Sequence, residues 1–255
     1  MARETSPEAS AAEHAALTQL LGRALENADG NLDGPFPCPY LPGRRARHLT
    51  VLPSPMFPGV YHALMDLNFR RLGPVFYRTR CPGCDECRML RLGVAEFRPT
   101  RAQRRCRKRN ADVDAAVVAG SPNAEKVALY RRYLDARHDG QMEGSAQELR
   151  ALSTDSAVDT REIEYRVGGR LLAVGIVDLE PRAMSAVYCY FDPDESTRSL
   201  GVFNVLWMIE ECRRRGLPFL YLGYWIRDSP KMSYKAGFAP CETLGADGGW
   251  RRRDA

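Results

Sequence analysis

Apolar positions in this chain change period along its length, and the changes mark out its elements. Leu17, Leu20, Leu21 and Leu25 recur at helical spacing and predict one short amphipathic helix, with residues 1–15 as a mobile tail before it. The run from Asn27 to Pro37, NADGNLDGPFP, breaks that pattern. Arg47 to Leu52 reads as a strand. Met56 to Leu72 keeps Tyr61, Leu64, Met65, Leu67 and Phe69 on one side and predicts a helix, with Pro58 in its first turn and Gly73-Pro74 as its stop. Val75 to Arg78 and Met89 to Val94 read as strands on either side of a loop. Thr100 to Asn110 predicts a helix capped by Thr100, yet its arginines fall all round it and leave no clean apolar face. A strand over Asp112 to Ala119 and a helix over Asn123 to Arg137 follow. Residues 139–160 read as a polar loop with a short helix.

The clearest patterning comes next. Arg161 to Val167 and Arg170 to Leu179 are strands joined by Gly168-Gly169, a two-residue hairpin turn. Ala183 to Phe191 is a third strand, Asp192 to Ser199 a loop, and Leu200 to Arg215 a long amphipathic helix ended by Gly216. Phe219 to Gly223 returns as a strand, and Met232 to Ala236 predicts a short helix. These elements give an α+β fold, a mixed and mostly antiparallel sheet flanked by helices. The predicted division is a tail and short helix over 1–36, a smaller α/β block over 37–110, and a larger domain over 111–255.

Composition narrows the class. With 44% apolar residues in 255, the chain can bury real cores. Eight cysteines are too few for a disulfide-dense scaffold of this size, and free thiols fit a reducing cytoplasm. The start, MARETSPEASAAEHAAL, has no apolar core of a secretory signal, and no apolar run approaches the ~18 residues of a membrane span. A cytoplasmic location is expected.

Charge then singles out one stretch. Arg78 to Asn110 holds 11 basic residues against three acids, a net of +8, while the whole chain carries +5. The rest of the chain is therefore net negative. Arg101, Arg104, Arg105, Lys108 and Arg109 could meet phosphates, or pair with acids elsewhere as a solvated helix. The same stretch carries Cys81, Cys84 and Cys87 at even spacing. Three thiolates could hold zinc with a fourth ligand from Cys38, Cys106 or His48. A bacterial ferredoxin run would need a cysteine where Arg91 stands, so that reading fails. Free thiols in a tight Pro-Gly turn are the bland alternative. Cys189 and Cys212 read as packed thiols, and Cys241 as a surface or loop residue.

Several phrases follow one another in a distinctive order. They are Cys38-Pro-Tyr-Leu, Asn68-Phe-Arg-Arg-Leu-Gly-Pro-Val-Phe-Tyr-Arg, the cysteine cluster, Phe97-Arg-Pro-Thr-Arg-Ala-Gln-Arg-Arg and Arg109-Asn110. Then come Tyr130-Arg-Arg-Tyr-Leu-Asp-Ala-Arg-His, Val187-Tyr-Cys-Tyr-Phe-Asp-Pro, Tyr221-Leu-Gly-Tyr-Trp-Ile and Lys231-Met-Ser-Tyr-Lys-Ala. Over roughly residues 35–240 the chain resembles the aminoacyl-tRNA–protein transferases, which include bacterial aspartate/glutamate leucyltransferases and eukaryotic arginyltransferases. The element order likewise resembles the N-acyltransferase (GNAT) fold. That fold would place the acyl donor near the third strand and the following helix.

The resemblance implies transfer of an amino acid from tRNA to the α-amine of a protein. Leucine moving to N-terminal Asp or Glu is the leading expectation. Arginyl transfer on the same scaffold and a non-catalytic, metal-containing tRNA-binding module are the alternatives. The donor ester is already activated, so no cofactor is required for transfer. The enzyme must join amine and ester, remove a proton and stabilise an oxyanion. Candidate catalytic residues are Tyr190, Asp192, Tyr224 and Asp228, with Asp194 beside them. Candidate substrate and tRNA contacts are Arg78, Arg88, Gln103, Arg104, Arg105, Arg109, Asn110, Lys231 and Lys235. Cys38, Cys81, Cys84 and Cys87 are the candidate holders of zinc or an iron–sulfur cluster, the latter by resemblance to the eukaryotic relatives. The segment Arg198-Ser-Leu-Gly-Val-Phe has Phe203 where a CoA-phosphate loop would need a small residue, which favours a donor carried by tRNA.

Overall fold

A computed structural model describes residues 7–26, 32–137 and 143–254. Part of the expected tail and residues 139–142 of the expected loop lie outside the described residues. The chain runs α1 (Pro7–Glu26), β1 (Leu32–Pro37), β2 (Arg45–Val51), α2 (Val60–Asp66), β3 (Arg70–Leu72), β4 (Val75–Thr79) and β5 (Arg88–Gly93). It continues through α3 (Arg101–Arg109), β6 (Asp114–Ala119), α4 (Ala124–Arg137), α5 (Ala146–Ser153), β7 (Asp159–Val167), β8 (Arg170–Glu180) and β9 (Ala183–Phe191). It closes with α6 (Leu200–Arg214), β10 (Phe219–Trp225), α7 (Pro230–Ser233), β11 (Cys241–Leu244) and β12 (Trp250–Arg253). No helix among the described residues is long and apolar enough to cross a membrane.

The protein is a mixed α+β structure with two sheets. The smaller is antiparallel, in the order β1-β2-β4-β3. The larger has eight strands in the order β12-β11-β5-β10-β9-β8-β7-β6. Its strands are antiparallel except β9 and β10, which run parallel. One strand from before residue 110, β5, lies inside the larger sheet between β10 and β11. Gly168 and Gly169, at φ 55° and 84°, make the tight turn of the β7–β8 hairpin, where both positions need a left-handed backbone.

The long apolar run of β8 is explained by burial on both faces. Leu172 and Val177 join the core beneath α3 and α6, with Tyr165, Phe203, Leu206, Ile209 and Leu222. Leu171, Val174 and Ile176 face the opposite way and pack with Tyr130, Leu134, Leu149 and Tyr190, from α4, α5 and β9. A third core holds Leu64, Met65, Phe69 and Phe76 against Met89, Tyr221 and Tyr224, and so ties α2 and the smaller sheet to β5 and β10.

Several expectations are corrected. The helix expected over Met56–Leu72 is only α2, because Asn68 takes a left-handed φ of 68° and turns the chain into β3. Its side chain offsets that strain: Nδ2 donates to the Cys87 carbonyl at 2.9 Å, and Oδ1 accepts from the Met89 amide at 2.8 Å. The first helix begins at Pro7, well inside the expected tail. Helix α3 does have one buried stripe, Gln103, Cys106 and Asn110, with the arginines on its remaining surface. Cys241 is buried in β11 rather than exposed.

One buried ion pair fastens the two sheets together. The Arg71 Nε and Nη2 atoms donate to the two oxygens of Asp178 on β8, at 2.7 and 2.6 Å. Thr160 Oγ1 also donates to Asp178, at 2.6 Å, and Arg71 Nη2 reaches the Leu152 carbonyl at 3.1 Å. The side chains are 1% and 0% exposed, so removing one partner strands the other's charge in a dry interior. Asp178→Ala is expected to cost about 3–5 kcal/mol in urea unfolding. A loss near that of a surface pair would show that the contact does not fasten the sheets.

Candidate active site

Strands β9 and β10 pair at only three positions, Ala183 with Phe219, Met184 with Leu220 and Ser185 with Tyr221. Beyond Ser185 they part, and the β10–β5 register shifts between Tyr221 and Gly223. Arg70 enters the opening from β3. Its Nη1 donates to the Ala186 carbonyl at 3.0 Å and its Nη2 to the Val187 carbonyl at 3.3 Å. Gly223 makes room for it. A Cβ there would stand 2.2 Å from Arg70 Nη1, and φ is +76°. Among the described residues no carboxylate pairs with Arg70, which therefore brings an unneutralised charge into the opening.

Lys235 stands beside it. Its Nζ donates to the Tyr224 carbonyl at 2.7 Å. Burial first, and the Arg70 charge second, push its pKa down to about 7, so it can hold or release a proton near neutrality. The nearby thiol of Cys189 is pushed up to about 12 by burial, which leaves it a poor nucleophile. The Tyr224 hydroxyl donates to the Asn68 carbonyl at 2.9 Å.

Below the opening lies a polar knot. Asp66 of α2 accepts from the Tyr221 hydroxyl at 2.5 Å and from Arg91 Nη1 at 3.3 Å, and lies 2.9 Å from His14 Nε2. The His62 ring stacks on His14 with centroids 3.8 Å apart, and burial drives the His62 pKa down to about 3. The ligand atoms of His14, His62 and Asp66 lie within 4.8 Å of one another. Arg91 nonetheless sits on Asp66, and a neighbouring guanidinium opposes a cation there.

The expected residues are placed variously. Tyr190 is fully buried against Tyr130, and among the described residues its hydroxyl has no hydrogen-bond partner. Asp192 caps the turn after β9 and is held by Arg132 at 2.7 Å and Arg170 at 2.9 Å, with Asp194 also on Arg132. Both carboxylates are thus engaged in ion pairs. Asp228 is exposed in the loop after β10, and Lys231 is exposed on α7. Gln103 completes the capping box of α3 and donates to the Gly237 carbonyl at 2.9 Å. Asn110 is buried and donates to the Arg198 carbonyl at 2.8 Å, while Arg109 bonds the Thr197 carbonyl. Arg101, Arg104, Arg105 and Lys108 form an exposed basic ridge. Arg78 and Arg88 line a separate cavity. Arg70 escaped sequence reading. The available signal was a pair of arginines inside an apolar segment.

The four cysteines gather near one another, but not as ligands of one ion. The Cys87 thiol lies among Cys81, Cys38 and Cys84 and is pushed up to about 12, chiefly by burial. Cys84 Sγ accepts from Arg44 Nη1 at 3.0 Å, and Cys81 Sγ sits 3.8 Å from the Arg47 carbonyl. Zinc in four thiolates would draw the sulfurs to about 3.8 Å of each other. Among the described residues the cysteines form no group of three ligand atoms within the 4.8 Å that His14, His62 and Asp66 satisfy. Cys106 lies elsewhere, in the core under α3. As arranged, these thiols do not fit a single metal ion.

Comparison with known proteins defines the class. The sequence profile for the N terminus of arginine-tRNA-protein transferases matches residues 36–105, and that for the C terminus matches 125–245. The protein is an aminoacyl-transferring enzyme. More particularly, the chain belongs to the arginine-tRNA-protein transferase family. It is 43% identical over 213 residues to an aspartate/glutamate leucyltransferase of Chromobacterium violaceum, covering 82% of this chain and 88% of that one. It is 40% identical over 222 residues to the enzyme of that name from Paramagnetospirillum magneticum, covering 86% and 91%. Among solved structures, L-PGS from Bacillus licheniformis overlaps 65% of this chain with a TM-score of 0.41 at 13% identity, and this chain spans 50% of its length.

Proposed function

We propose that this protein moves leucine from leucyl-tRNA to the α-amine of proteins that begin with Asp or Glu, in the cytoplasm, where the new N-terminal leucine marks them for degradation. The opening between β9 and β10 carries this reading, because it gathers a carboxylate-free guanidinium and a lysine that titrates near pH 7. The relatives named leucyltransferases support the donor and acceptor, and the splayed parallel pair agrees with a GNAT-like sheet.

In this mechanism the aminoacyl ester lies in the opening with its carbonyl toward Arg70. Neutral Lys235 takes a proton from the incoming ammonium, and the freed amine attacks the ester carbon. The guanidinium stabilises the tetrahedral oxyanion. Collapse forms the amide and breaks the ester bond, and the proton that the attacking nitrogen gives up passes to the departing tRNA oxygen. The ester supplies the driving force, so no metal or cofactor enters any step. The poorly nucleophilic Cys189 thiol agrees with direct transfer rather than a thioester intermediate. The turn before α6, where CoA enzymes of the expected fold cradle a pyrophosphate, is here occupied by Asn110 and Arg109 of α3. That occupation also supports a tRNA-borne donor, with the exposed ridge of α3 set against its phosphates.

Three measurements follow. Given labelled donors and a peptide beginning with Asp, the protein should label the peptide from leucyl-tRNA at least ~10-fold faster than from arginyl-tRNA. The reverse ratio assigns the arginyl branch, and tRNA binding without labelling from either donor makes the protein a binding module. The rate at saturating substrates should rise with pH through about 7, as Lys235 loses its proton. Lys235→Met should lower that rate by about 10²–10⁴ and abolish the limb, whereas an unmoved limb would remove the lysine from proton transfer. Replacing Arg104 and Arg105 by Gln should weaken tRNA binding and reduce its salt slope by roughly one unit for each phosphate no longer neutralised. An unchanged slope would take the ridge out of RNA contact.

A further inference from the structure

A cavity of ≈ 660 Å³ lies between β4, the cysteine loop and the turn after β11, lined among others by Asn68, Arg78, Arg80, Cys87, Arg88 and Gly245. We propose that it is the pocket for the acidic side chain of the acceptor's first residue, with the Arg78 guanidinium as its carboxylate fork and Arg88 at its mouth. This assignment rests on the transfer reaction above and names the residues that would choose its acceptor.

Two guanidiniums of the surrounding framework already hold anions. Arg71 is filled by Asp178, and Arg91 by Glu242 and Asp66. Arg78 is held in place without being neutralised. Its guanidinium lies 4.9 Å from the Phe69 ring centroid, and its Nη1 reaches the Leu67 carbonyl only at 3.4 Å. Its Nε is shielded from solvent and has no hydrogen-bond partner among the described residues. Arg47 also has a buried, unmet Nε, but Arg47 does not line the cavity. Burial and the neighbouring Arg80 lower the Arg78 pKa to about 10, as expected of a cation short of a counter-charge. A carboxylate approaching side-on to Nε and a terminal nitrogen would meet both needs. Arg88 is paired with Asp85, whose side chain is 69% exposed, so that bond can exchange for a ligand's carboxylate at little cost.

Position favours the acceptor over RNA. The cavity is a compact pocket, while the exposed ridge on α3 offers the extended array that a phosphodiester chain requires. The cavity and the proposed base also meet at one residue. The Tyr224 hydroxyl bonds the Asn68 carbonyl in the cavity wall, and the Tyr224 carbonyl accepts from Lys235. Tyr224 thus joins the cavity wall, through its hydroxyl, to the proposed base, through its carbonyl.

The test compares peptides beginning with Asp and with its uncharged isostere Asn, in wild type and Arg78→Gln. Wild type should prefer Asp strongly. Arg78→Gln should raise the KM for the Asp peptide about 10–100-fold, leave the KM for leucyl-tRNA and its salt dependence unchanged, and bring the Asp/Asn preference near one. Should Arg78→Gln fail to fold, Arg78→Lys keeps the charge but loses the fork, and its preference should fall part of the way. A retained preference in the folded variant overturns the proposal. A raised tRNA KM with a flatter salt dependence assigns the cavity to RNA instead. If wild type transfers no leucine at all, calorimetric binding of the Asp peptide to wild type and Arg78→Gln still decides the pocket separately from the reaction.

Discussion

Two neighbouring guanidiniums on a three-residue strand hold this molecule's design together. Strand alternation sends Arg70 and Arg71 of β3 to opposite sides. Arg71 reaches Asp178 and is fully paired in the interior. Arg70 goes to the gap in the larger sheet, where the carbonyls of Ala186 and Val187 receive it and, among the described residues, no carboxylate does. Each buried guanidinium carries a desolvation penalty of several kcal/mol, and a lone one is the harder to keep. Arg70 can stay because Arg71 fixes the strand that carries it. The stabilising pair and the reactive charge are therefore one device, and Gly223 completes it by leaving space that no side chain could share.

The remaining charges sort by what satisfies them. Asp192 is filled by Arg132 and Arg170, and Asp66 by Tyr221 and Arg91, so these carboxylates stabilise the framework and are not spare bases. Among the described residues, positive charge with no ion pair stands at the β9/β10 opening, at the Arg78 cavity and on the outer face of α3. Each suits a different anionic feature of the proposed reaction, namely the oxyanion, the acceptor carboxylate and the RNA backbone. Lys235 is the exception that proves useful, because burial beside Arg70 disfavours its charged form near neutral pH.

Sequence periodicity made the stretch from β7 through β10 legible, since its strands and its helix each keep one period over many residues. It failed around residue 68, where a single left-handed Asn ends the helix and no apolar count can register the turn. It also passed over β1 and β12, edge strands whose Gly, Pro and charged residues resemble loop composition, and over β11, an interior strand of only four residues. For the site, Lys235 was legible as a positive residue in a recognisable phrase, but its titration near neutrality depends on burial and on Arg70, 165 positions away in sequence. Asp192 and Tyr190 looked reactive because they follow the third strand. Their partners come from α4 and β8, and no local pattern announces them.

The two faces of the larger sheet then explain why a gap between strands is the useful place for chemistry. Leu220, Leu222 and Trp225 of β10 belong to the core under α3 and α6, whereas Tyr221 and Tyr224 belong to the core with α2 and the smaller sheet. The basic ridge lies on the first side and the Arg78 cavity on the second. A hydrogen-bonded pair of strands would seal one side from the other. Because β9 and β10 stay paired for three residues only, Arg70 can reach the Ala186 and Val187 carbonyls of β9 while Lys235 bonds the Tyr224 carbonyl of β10. In the proposed reaction the RNA donor would bind on the face of the ridge and the acceptor on the face of the cavity, so the two would not compete for surface.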